Sequence, residues 1–186
     1  MYRIIYFLIC SAIILSSCSR NKDADNTKQL YERLHGKYKA VSSISTEAID
    51  VNLDGTPSTD ILTEIPDMAE CNLEIRIVSK DNFLFMHSWP EQFVGYGPEP
   101  AGYDPSLAVN YARQGVTRTF SVDEANNRLE IHADTYQVAE RFVFPSAVTM
   151  EGADTIKIVF SKRLYTSAGW KTATITTIYK RWTMVT

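Results

Sequence analysis

Apolar and polar residues alternate most cleanly at Asn72-Leu73-Glu74-Ile75-Arg76-Ile77, the period of a strand with one buried face. Leu73, Ile75 and Ile77 take that face. Cys71 shares their parity, so its thiol reads as a small core group rather than a reactive one. The same period, less strictly kept, recurs at Gly36–Ser45, Asn82–Ser88, Leu107–Ala112, Val116–Val122, Arg128–Asp134, Val138–Phe144, Thr155–Lys162 and Thr172–Trp182. Turn formers divide most of these segments: Lys80-Asp81, Gln114-Gly115, Glu124-Ala125-Asn126-Asn127, Glu151-Gly152 and Ala168-Gly169. Helical spacing is confined to Leu30 and Leu34, which predict a short helical turn over Lys28–His35 stopped by Gly36. About nine short strands, tight turns and no long helix predict an all-β antiparallel domain, a barrel or a sandwich.

The two ends of the pattern select the barrel. Gly36-Lys37-Tyr38 opens the first strand and Tyr179-Lys180-Arg181-Trp182 ends the last. In lipocalins a Gly-x-Trp on the first strand packs under an arginine from the final strand, held by cation–π attraction. The chain resembles that arrangement, and the lipocalin-like domains of Bacteroidetes lipoproteins, over roughly Leu34 to Trp182, with Tyr38 standing where tryptophan is usual. The resemblance implies an up-and-down, lipocalin-like barrel of about eight or nine strands.

Ahead of the alternating region, Arg3 is followed by a nearly unbroken apolar run from Ile4 to Leu15. That length suits a secretory signal and is short for a membrane span, which needs about 20 residues. Leu15-Ser16-Ser17-Cys18 resembles the lipobox of bacterial lipoproteins: an apolar residue, two small residues, then the cysteine that is acylated. The resemblance implies that residues 1–17 are removed and that Cys18 carries acyl chains such as palmitate. Residues 18–29 then form a polar tether with too little apolar surface to order itself, and 30–186 form the barrel domain. Ser19 is not the aspartate that retains many lipoproteins in the inner membrane, so the expected location is the outer membrane.

Composition narrows the partners. The whole chain carries a formal charge of −3; loss of Arg3 with the signal makes the mature charge −4. No basic stripe is present, and nucleic acid is not an expected partner. Cys10 leaves with the signal and Cys18 is taken by lipid, so Cys71 has no partner for an intramolecular disulfide.

Two segments hold candidate sites. Asp50, Asn52, Asp54, Thr56, Ser58 and Asp60 place oxygens in the order of a calcium loop, with Gly55 at its turn, but Ile61 stands where the closing glutamate belongs. Two readings fit: a Ca²⁺ site, or an Asx-rich turn capping a short helix near Ser58 to Asp60. From Trp89 to Pro105, the aromatic residues Trp89, Phe93, Tyr96 and Tyr103 lie among three glycines and four prolines. A Pro-stiffened aromatic loop at a barrel mouth serves as a ligand lid, or as a plug packed on the core.

His87 has the parity of Phe83 and Phe85 and reads as a packed, hydrogen-bonded core residue that adjoins any cavity. His35 is placed to cap the first helix. Arg118 and Arg141 fall in apolar register: either is an inward charge that meets an anionic ligand in the barrel cavity, or, the preferred expectation, its head snorkels at the rim. No paired histidines, serine elbow, CxxC or phosphate loop occurs, so an enzyme is not expected. Together these features predict a membrane-tethered protein binding a small or hydrophobic ligand in its barrel or, alternatively, a surface module whose loops meet a protein or glycan.

Overall fold

A computed structural model describes residues 26–133 and 143–186; Cys18, Arg141 and most of the strand expected at Val138–Phe144 lie outside them. A helix, α1 (26–34), leads into β1 (Gly36–Ile49). After β1 come β2 (Ser58–Asp60), α2 (Ile61–Glu64), a 3₁₀ turn (Met68–Glu70) and β3 (Asn72–Ser79). The remaining strands are β4 (Asn82–Val94), β5 (Val109–Asp123), β6 (Arg128–Ile131), β7 (Pro145–Met150), β8 (Thr155–Thr166) and β9 (Gly169–Thr183).

From β3 to β9 each strand pairs antiparallel with the next, β1 pairs with β3, and β1 also pairs with β9 from Lys37–Thr183 to Ser45–Ile175. That last seam closes an eight-stranded up-and-down barrel, the all-β form expected from the alternation. β2 is a ninth strand added to the far end of β1, Ile49 facing Ser58. Closure leaves few free edges, which is how an antiparallel sheet of this length avoids pairing with other chains.

Alternation decides what fills the barrel. Tyr38, Ile75, Phe85, Ile158, Phe160, Ile175 and Tyr179 are wholly buried, each contributing about 2 kcal/mol of transfer free energy. β4 and β8 lie on opposite walls of the ring, yet Trp89 and Phe160 meet edge to face at 4.9 Å between centroids. The barrel is therefore flattened and its middle is packed. Ser43 and Thr177, both inward on the closing seam, satisfy each other at 2.8 Å, as buried hydroxyls must.

One end is sealed. The Tyr38 hydroxyl donates to the Leu34 carbonyl at 2.6 Å, and the Arg181 guanidinium stands 6.0 Å from the Tyr38 ring centroid. Arg181 also donates to the carbonyls of Glu32 (3.0 Å), His35 (3.1 Å) and Ala153 (3.2 Å), and pairs with Asp154. One side chain thus joins α1, β9 and the β7–β8 turn. Gly36 makes this possible: its φ is +143°, and a Cβ there would run into the Thr183 carbonyl and the Arg181 side chain. His35 does more than end α1, since its Nδ1 accepts from the Ile77 N–H at 3.1 Å.

The strands differ from expectation in four places. The two segments at Leu107–Ala112 and Val116–Val122 are one strand, β5; Gly115 sits inside it opposite Ser88, because eleven continuous pairs with β4 outweigh a local turn preference. β4 runs on through Pro90 to Val94. Its pairing with β3 begins at Leu73–His87, so beyond Ser88 its second edge has no β3 partner and a missing N–H costs nothing there. β7 and β2 were not apparent from alternation: the first begins at a proline and the second is three residues long.

Candidate functional site

The opposite end of the barrel is the mouth. It gathers the 50–71 connection, the loop from Gly95 to Ala108, the start of β7 and the Ser167-Ala168 hairpin. Between the end of β4 and strands β8 and β9 lies a cleft of about 410 Å³, bordered by Glu91, Phe93, Val143, Lys162, Arg163 and Trp170.

Its base is charged. Lys162 donates to Glu91 across 2.5 Å, with side chains only 7% and 5% exposed. Lys162 continues the inward row Ile156, Ile158, Phe160, and Glu91 continues Phe85, His87, Trp89, so strand register alone carries both charges inside. Burying two ions costs several kcal/mol each by desolvation, which their attraction offsets only at close range. Such a pair specifies a polar site more than it stabilises the fold. At the rim, Arg163 pairs with exposed Glu99 at 2.6 Å and lies 4.3 Å from the Trp170 ring centroid. The wall is fastened by the Gln92 amide, which donates to the Tyr165 carbonyl and accepts from the Tyr165 N–H at 3.0 and 2.9 Å.

The aromatic loop divides in two. Its later half is strapped down: Trp170 Nε1 donates to the Pro100 carbonyl at 2.9 Å, and the Asp104 N–H donates to the Tyr165 hydroxyl at 2.7 Å. Tyr103 packs against Tyr165, ring centroids 6.0 Å apart. Its earlier half is open. Phe93 borders the cleft, and Tyr96 is fully exposed. Trp89 lies in the core at 2% exposure.

His87 is buried beside it, Nε2 at 2.9 Å from the Tyr179 hydroxyl. Burial, reinforced by the charge of Arg118, brings its pKa down to about 4, so the ring is neutral near neutral pH. Burial also pushes Tyr179 well above the usual phenol range, Tyr38 up to about 12, and the Cys71 thiol upward. Arg118 departs from the rim position expected of it. It is 4% exposed, donates to the Val143 carbonyl at 3.1 Å and lies 5.0 Å from the Phe144 ring centroid. Its opposite number on β4 is Phe85, deep in the barrel, too far from the rim for the side chain to snorkel.

In the Asp-rich loop, most oxygens serve the backbone. Asp50 accepts from the Gly55 N–H (3.2 Å), Asn52 from Asp54 (3.0 Å) and Asp54 from Thr56 (2.7 Å). Ser58 accepts from the Asp60 N–H at 3.0 Å, and Asp60 caps α2 by accepting from Leu62 at 3.0 Å. Buried Glu64 turns inward to take the Val51 N–H at 2.8 Å. These are the bonds of an Asx turn leading into a capped helix. Among the described residues, no three of His, Cys, Asp and Glu converge as a metal site.

Of the candidate site residues singled out in the sequence, Phe93 alone among the described residues borders the cleft, and Tyr96 stands near it. Glu91, Lys162, Arg163 and Trp170 were missed. The signal was present for the first two, as charges in inward register on strands otherwise apolar at those positions. No protein-family model matches the chain, and comparison with curated proteins and with solved structures gives no match.

Proposed function

We propose that the protein is a lipid-anchored, non-catalytic binding protein of lipocalin-like type, held on the outer membrane by acylated Cys18, with its ligand seat in the mouth cleft. The observation that carries this reading is the buried Glu91–Lys162 pair at the base of a cleft of about 410 Å³, a volume within the range of small-molecule sites. Phe93 and Trp170 offer apolar surface, and Glu91, Lys162, Arg163 and Glu99 offer both signs of charge. The ligand class they suit is a small amphiphile with an apolar face and hydrogen-bonding or charged groups. The packed centre of the barrel favours a shallow seat over an enclosed one. His87, the one histidine facing the barrel interior among the described residues, lies in the core and is kept neutral, which supports a binding role over acid–base chemistry.

Native mass spectrometry of protein extracted from its own membrane tests this. The expected result is an acylated Cys18 and a co-purified small molecule that is lost in Trp170→Ala and Lys162→Met. A bare Cys18 ends the anchor; a ligand unchanged in both variants ends the cleft. Full exposure of Tyr96 beside exposed Phe93 favours a second reading, in which the loop meets a protein or glycan. Loss of a pulled-down partner in Tyr96→Ser, with the small molecule retained, would favour it.

A further inference from the structure

At the sealed end, the outer face of the β1–β9 seam carries an arrangement that the barrel does not require. Lys39 and Lys180 are directly opposite each other in the register, and both are exposed. Directly opposed side chains on a sheet have Cβ atoms about 5 Å apart, and like charges there are destabilising. No acid relieves them across the neighbouring strands, where Lys39 faces Asn72 on β3 and Lys180 faces Thr155 on β8. No ion pair joins either lysine to a carboxylate among the described residues. The acids nearby are engaged elsewhere: Glu32 with Lys28, Glu124 with Arg33, Asp154 with Arg181 and Glu151 with Lys157. Lys37, next along the same face, stands opposite Glu74, which is held by Arg76.

Beside the lysine pair stands Trp182, 55% exposed, with the Lys39 ammonium 5.3 Å from its ring centroid. Exposed Val41 and Ile44 continue the face along β1, and exposed Met184 and Val185 follow Trp182. Tryptophan and lysine side by side, each with an apolar body and a polar tip, suit the boundary between headgroups and water.

We propose that this face rests on an anionic lipid surface, so that the sealed end lies against the bilayer and the mouth cleft points away from it. This rests on the reading of Cys18 as the lipid anchor. Asn26, the first described residue of α1, stands eight positions after Cys18, a reach of at most about 28 Å, and α1 enters β1 at this same end. The anchor therefore keeps this end of the barrel, with its lysine pair, within reach of headgroups. Anionic phosphates between Lys39 and Lys180 replace their mutual repulsion with attraction.

The test uses the lipidated protein in a Trp170→Phe background, in which Trp182 is the exposed indole and Trp89 is buried. It is reconstituted into vesicles of phosphatidylcholine, with or without phosphatidylglycerol, containing a brominated phosphatidylcholine as quencher. Trp182 is expected to be quenched when phosphatidylglycerol is present and much less without it. Lys180→Glu should abolish most of this effect while raising the urea midpoint, because it sets opposite charges across the seam. A merely structural lysine would give the reverse correlation. Unquenched Trp182, or equal quenching in Lys180→Glu, overturns the proposal. Should mass spectrometry find Cys18 unacylated, sedimentation of the same full chain with phosphatidylglycerol vesicles separates the two ideas. Binding weakened at least about fivefold by Lys180→Glu keeps the surface and discards the anchor; unchanged binding in the variant, or no binding by the parent, discards both.

Discussion

His87 shows how a single residue can be read correctly for its face and still hold a consequence that alternation does not display. Its parity put it inside, and there its neutral ring bonds to Tyr179 among Phe85, Phe160 and Tyr179. Its folded pKa of about 4 lies below the ordinary 6.5, so between those values the unfolded chain binds a proton that the folded chain refuses. The contribution is fully present above pH 6.5 and is lost as pH falls toward 4, amounting to roughly 3 kcal/mol when complete. Urea unfolding across that range should show the loss, and His87→Phe should flatten this part of the profile. The variant should also cost about 1–3 kcal/mol at neutral pH, since the Tyr179 hydroxyl loses its partner. Arg118 marks the opposite limit: parity put it in an inward row, but a lone strand does not tell how far along the barrel a position lies.

At the scale of elements, the seal made by Gly36, Tyr38 and Arg181 depends on backbone clearance as much as on side chains. Gly36→Ala should be severe, at about 3 kcal/mol or more, because it combines a forbidden φ with a clash against the Thr183 carbonyl. Gly102→Ala, with open space where its Cβ would stand, should shift stability by no more than about 0.5 kcal/mol. Chemical denaturation of the two variants makes the comparison.

The seal was legible from two short motifs at the chain's ends, and most strands from period two with their turns, as at Lys80-Asp81 and Glu124–Asn127. What escaped did so for physical reasons. Gly115 keeps an extended backbone because β4 holds it, Pro90 survives on an unshared edge, and β2 exists only because β1 has no β3 partner beyond Lys39. The site was less legible than the fold. The aromatic residues that draw attention in the loop are mostly strapped to Tyr165 and Trp170, whereas the cleft's charges come from strands distant in sequence. Glu91 and Lys162 are 71 residues apart, and nothing local announces their meeting.

Taken as a whole molecule, the barrel separates its tasks by end: a sealed base knit by Arg181, a packed middle, and a charged cleft at the mouth. The ion pair at that cleft couples opposite walls. Lys162→Met should destabilise by about 1–3 kcal/mol, because it removes the ammonium that donates to buried Glu91. Combining it with Glu91→Gln should cost less than the sum of the two single changes, a coupling readable in a double-mutant cycle. The seam that closes the ring also dictates a history. Ser43 meets Thr177 across 134 positions, so one edge of the first strand to be translated stays unmatched until the last strand has emerged, although its other edge finds β2 and β3 early. Until then the chain carries that hem undone, exposed to proteases and to stray partners. Trimming even the final dozen residues should leave it unable to fasten, whereas a circular permutant that splices the two tails and opens the Lys80-Asp81 turn should fold faster than the parent.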